Sequence, residues 1–110
     1  MLPKKERLTK KEFNRFFSMG RRLRTPLFQV VYAPYPTLHV SVVIPKKIAR
    51  HAVTRNKIRR RVYEIVRVYH KEHRLAGVYI YLCTQNIATM KHHTVRDAII
   101  EIIQKTNPTS

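Results

Sequence analysis

Apolar positions along the chain change their period several times, and each change predicts an element. Leu8-Thr9-Lys10-Lys11-Glu12-Phe13 opens a helix, with Thr9 as N-cap, Glu12 as the return half of a capping box, and Leu8 and Phe13 spaced as a hydrophobic staple. The helix runs to about Met19, and Gly20 is expected to stop it in a left-handed conformation. It brings Phe13, Phe16 and Phe17 together at i, i+3 and i+4, with Lys11, Asn14 and Arg15 on the opposite face. Two β-branched or aromatic runs follow, from Leu27 to Ala33 and from Leu38 to Ile44, separated by Pro34-Tyr35-Pro36-Thr37; they read as an antiparallel pair. A short extra strand near Arg22 to Thr25 fits before them. From about Ala52 to Arg74 the period becomes helical, with Ile58, Val62, Ile65, Val66 and Tyr69 on one face and Asn56, Lys57, Arg59, Arg60, Arg61, Glu64 and Arg67 around the rest. Val78 to Cys83 reads as a buried strand. Thr94-Val95-Arg96-Asp97 reads as a second capping box, opening a last helix with Val95, Ala98, Ile99, Ile102 and Ile103 inward.

The order helix, strand, strand, possible third strand, helix, strand, helix predicts one α+β domain over residues 1–110, with flexible ends at 1–6 and 106–110. Charge then narrows the function. The 110 residues carry 23 Lys and Arg against 6 Asp and Glu, a formal net charge of +17. Residues 1–74 hold 20 of the 23 bases and four of the six acids, and Lys46 to Arg61 contains Lys46, Lys47, Arg50, Arg55, Lys57, Arg59, Arg60 and Arg61 with no acid at all. Repulsion among so many cations destabilises a compact state unless a polyanion neutralises them, so the segment reads as a nucleic-acid surface. Arginine dominates, and its planar guanidinium grips phosphate bidentately or stacks on bases; Asn56 adds an amide suited to base edges or 2′-hydroxyls, which favours RNA.

Other chemistries fit poorly. One aspartate and five scattered glutamates do not supply the clustered carboxylates of a two-metal nuclease. His70 and His73 stand at i, i+3 rather than the i, i+4 of a zincin helix, and Cys83 is the sole cysteine, so neither a protein-held metal nor a redox role is expected. No run approaches the ~18 apolar residues of a membrane span, and the N-terminus lacks the apolar stretch of a signal peptide, so a cytoplasmic protein with no membrane partner is expected. A structural RNA-binding protein, such as a ribosomal protein, shares the size and basicity and stands as the alternative.

Lys46-Lys47-Ile48, then Ala52-Val53-Thr54-Arg55-Asn56-Lys57-Ile58-Arg59-Arg60-Arg61 with Glu64, resembles the signature of the bacterial ribonuclease P protein component; Arg7-Leu8, Glu12-Phe13, Phe17 and Gly20 agree as well, and the resemblance spans about residues 6–104. It implies a four-stranded sheet packed by helices, with a left-handed strand–helix–strand crossover. It also implies an accessory subunit, monomeric within its ribonucleoprotein, that joins ribonuclease P RNA and binds the single-stranded 5′ leader of precursor tRNA. Cleavage would belong to the RNA and its Mg²⁺, with no catalytic residue in the protein. Carried over by position, Lys46, Lys47, Arg55, Asn56, Lys57, Arg59 and Arg60, extended by Arg61, would contact the catalytic RNA, while Phe13, Phe17 and Tyr32 would line the leader cleft and Phe16 would pack. Two departures stand out: Ala49-Arg50-His51 gives three residues where the family usually has two, and Thr84-Gln85 stands where a basic residue is common.

Overall fold

The computed structural model describes residues 9–106. Its elements are α1 (Lys10–Met19), β1 (Arg21–Arg24), β2 (Phe28–Ala33), β3 (Leu38–Val43), α2 (Ala52–His73), β4 (Gly77–Cys83) and α3 (His92–Thr106). The α1 capping box forms: the Glu12 amide donates to Thr9 Oγ1 at 3.2 Å and the Thr9 amide to Glu12 Oε1 at 3.0 Å. Leu8, the other half of the expected staple, lies outside the described residues. So do most of the ends expected to be flexible; Thr106 closes α3, its hydroxyl donating to the Ile102 carbonyl at 2.9 Å and lying 3.2 Å from both the Ile103 carbonyl and Tyr79 Oη.

Three local expectations change. Gly20 is not left-handed but extended (φ −71°, ψ 159°), because the chain passes straight from α1 into β1. Glycine is required there for space: a Cβ would stand 2.4 Å from Val31 Cγ1 and 2.8 Å from the Phe16 carbonyl oxygen. The two long strands do not pair with each other; the sheet order is β1-β2-β4-β3, with β4 antiparallel to β2 and parallel to β3. The run from Gly77 to Cys83 is buried on both faces save Leu82, which only a central strand allows, so β4 displaces the hairpin that the proline-rich connection suggests. Finally, α3 begins at His92, so Thr94 lies within its first turn and the Thr94–Asp97 box does not form. The Lys91 carbonyl accepts the Thr94 and Val95 amides instead.

The sheet buries its two faces unequally. On one, Phe28, Val30, Val40, Val42, Tyr79 and Tyr81 pack against Ile58, Val62, Ile65 and Val66 of α2 and Ile99, Ile102 and Ile103 of α3. Each fully buried aliphatic side chain of this layer contributes about 1.5–3 kcal/mol. Cys83 lies in the same layer, and burial pushes its thiol up to about 12, which leaves it protonated and inert near neutrality. On the other face, among the described residues, α1 covers Val31, Ala33, Val78 and Ile80, chiefly through Phe16. The α1 face of β3, at His39, Ser41 and Val43, stays half-exposed, as do Gln29 and Leu82.

Candidate nucleic-acid interface

The basic surface begins at the turn after β3, where the Ile48 and Ala49 amides bond the Pro45 carbonyl and hold Lys46 and Lys47 exposed. It continues along the N-terminal half of α2. Ile58 and Val62 fix the inward face of this helix, so the 3.6-residue period places Val53, Asn56, Lys57 and Arg60 outward. Val53 is 78% exposed and lines a shallow depression with Asn56, Arg59 and Arg60. Asn56 Oδ1 accepts from Arg59 Nη1 at 3.0 Å, which orients both side chains. Further along, Glu64 takes two hydrogen bonds from Arg67, and these hold its carboxyl below the ordinary range.

Two of the predicted RNA contacts, Arg55 and Arg61, are engaged with backbone carbonyls of the protein. Arg55 Nη1 donates to the carbonyls of Ala49 and Arg50 at 3.0 and 2.8 Å, closing the three-residue Ala49-Arg50-His51 segment onto the helix start. The longer connection is thereby accommodated. Arg61 is half-buried, and its guanidinium donates to the carbonyls of Ile87, Ala88 and Met90 in the turn before α3. In the motif that the resemblance assigns to RNA contact, Arg61 thus stands as a clamp between α2 and that turn.

A second candidate site lies on the thinly covered sheet face. The Phe13 and Phe17 rings stack with centroids 5.6 Å apart and 19° between planes, both half-exposed, whereas Phe16 is buried edge-on against Tyr35. Beside them the sheet presents the half-exposed Gln29, Ser41, Val43 and Leu82. Tyr32 is not brought to this cleft. Strand alternation turns Val31 towards α1 and Tyr32 to the opposite face, where its ring meets Tyr79 at 5.0 Å and lines a small pocket with Arg21, Lys105 and Thr106. Sequence reasoning missed Arg22 and Arg24, which the register with Val31 and Gln29 sets on the cleft face; their strand was legible, but not its partner.

A model of the ribonuclease P family matches residues 2–107 of the chain. The chain belongs to the bacterial ribonuclease P protein family. It is 29% identical over 96 residues to the ribonuclease P protein component of Coprothermobacter proteolyticus, covering 87% of this chain and 79% of that protein. A structure of a Staphylococcus aureus RNase P protein mutant with defective mRNA degradation activity superposes with a TM-score of 0.77 at 27% identity, over 93% of this chain and 87% of that one. The RNase P protein of Thermotoga maritima gives 0.80 at 21% identity, over 91% and 96%, and shows the shared fold. Membership makes the chain a ribonuclease P protein subunit. Within it, no group of three or more His, Cys, Asp or Glu side chains among the described residues is placed to hold a metal ion, and no described helix is long and apolar enough to cross a membrane.

Proposed function

We propose that this subunit binds the catalytic RNA of ribonuclease P through the turn after β3 and the outward face of α2, and holds the single-stranded 5′ leader of precursor tRNA in the cleft beside α1. The observation that carries the reading is the exposed, acid-free set Lys46 and Lys47 in the turn after β3 and Asn56, Lys57 and Arg60, with Arg59 at the margin, on a helix whose other face is locked in the core. Such a platform neutralises phosphates without rearranging, and each contact releases condensed counterions. Arg55 and Arg61 act through the backbone they hold. In the cleft, the Phe13 and Phe17 rings offer stacking faces to unpaired bases, a contact worth about 1–3 kcal/mol per base. In this reading chemistry is left to the RNA: Glu12 is engaged in a cap, Glu64 on Arg67 and Glu101 on Lys105, and no group of three or more His, Cys, Asp or Glu among the described residues is placed to hold a metal. Mg²⁺ belongs to the RNA in this reading, which supplies the hydrolysis that yields the mature tRNA 5′ end. The subunit acts as a monomer in the particle, in the cytoplasm.

The test is to add the purified protein to a bacterial ribonuclease P RNA at limiting Mg²⁺ and follow precursor-tRNA cleavage. Acceleration is expected, with affinity for the RNA falling steeply as salt rises. An unchanged rate, or a slope of log affinity against log salt near zero, overturns the reading.

A further inference from the structure

A base stacked on a ring carries a phosphate with it, and the cleft floor of Gln29, Ser41, Val43 and Leu82 has no charge to meet it. Nor does the turn after β4. Thr84 Oγ1 and Gln85 Nε2 both donate to the Pro26 carbonyl, tying that turn to the β1–β2 connection. Among the described residues, the sheet itself supplies cations to this face from the opposite edge, where β1 pairs Arg22 with Val31 and Arg24 with Gln29 and leaves both arginines exposed. Arg22 is placed most tellingly. Its guanidinium lies over the Phe17 ring, 4.8 Å from the centroid, and Nη2 donates to the Phe17 carbonyl at 3.1 Å.

We propose that Arg22 is a leader-binding residue: its guanidinium rests on Phe17 in the free protein and, when a base takes that ring face, moves onto the adjacent phosphate, with Arg24 the next cation along the strand. The inference rests on the cleft reading given above. An exposed cation–π contact and one bond to a neutral carbonyl are weaker than a bidentate guanidinium–phosphate pair, so the exchange runs towards the bound state. The rival role is structural. α1 has no basic residue in its last turn, and Arg22 supplies a positive group to that helix end.

Full-length protein assembled with a bacterial ribonuclease P RNA separates the two. Kd is measured against salt for a precursor tRNA with a leader of several nucleotides and for mature tRNA, with the native chain, Arg22→Gln, Arg22→Lys and Phe17→Ala. Arg22→Gln is expected to weaken precursor binding about tenfold, a typical loss for a charge-assisted contact, and to leave mature tRNA unchanged. It is also expected to lower the precursor salt slope by about 0.7, the value for one single-strand phosphate. Arg22→Lys restores the slope and part of the affinity. Equal losses for both tRNAs, or an unchanged slope, make Arg22 a helix cap only. A leader-dependent loss at Phe17 without one at Arg22 removes this inference alone, whereas no leader dependence at either position removes the cleft reading itself.

Discussion

α1 and α2 pack on opposite faces of one sheet and are attached to it very differently. The 22-residue α2 buries Ile58, Val62, Tyr63, Ile65 and Val66, while the ten-residue α1 buries Phe16 alone. An isolated helix of ten residues is marginal in water, so α1 persists through its cap, through Phe16 and through Arg22 at its end. Under the function proposed above, the difference divides the labour: a deeply anchored helix suits a fixed array of cations facing a structured RNA, whereas a lightly held one makes an adjustable wall for a flexible single strand.

The sharpest way to break this comparison lies within α1. Phe16→Ala should cost about 3–5 kcal/mol, as for other buried phenylalanines, and should expose the α1 amides to hydrogen exchange. Phe17→Ala should cost clearly less and mainly weaken binding of precursor tRNA, leaving mature tRNA nearly unchanged. Thermal melts beside binding titrations decide it: a larger melting-temperature drop at Phe17 than at Phe16 would return both rings to the core and make α1 as firmly seated as α2.

A middle-sized effect tests the other helix. Arg61→Ala removes the guanidinium donor from the Ile87, Ala88 and Met90 carbonyls, of which Ile87 keeps the Met90 amide, and should lower stability by about 1–3 kcal/mol while hardly changing the salt slope of RNA binding. Arg60→Ala should do the reverse, keeping the melting temperature and reducing the slope by about one phosphate's worth. Similar slopes for the two variants would show that Arg61 reaches the RNA after all.

What was legible in the sequence follows the range of each interaction. The α1 cap joins residues three apart, and the Ile58–Val62–Ile65 stripe repeats within one helix, so both could be read locally. Strand order depends on which strand is buried on both faces. The apolar run from Val78 to Cys83 held that signal, but the nearer Pro34–Pro36 connection masked it. Tyr32 stands one residue of register from the face that α1 covers, and in a strand one residue exchanges the two faces. Arg61 finds its acceptors 26 to 29 residues away, beyond any helical periodicity. Arg22 was visible as a base in a short strand, but only the β1–β2 register places it beside Phe17.

The smallest expected effect concerns the light attachment of α1 itself. The Glu12 carboxylate accepts the Thr9 amide, and that bond, with weaker help from the charges of His39 and Arg15, holds its pKa below the ordinary 4.5. A carboxyl whose folded pKa is depressed adds stability that is complete above its unfolded value and is lost as pH falls through the folded one. The contribution should therefore be full above about pH 4.5 and should fade in more acidic solution. Glu12→Gln keeps a side chain able to close the capping box but removes the charge that favours a helix N-terminus. Melting temperatures of the two proteins should differ slightly near pH 5.5, by less than the Phe17→Ala shift, and converge as the solution is made progressively more acidic. A gap that stays constant over that range would mean that the carboxylate charge does not hold α1, and that Phe16 and Arg22 carry its attachment alone.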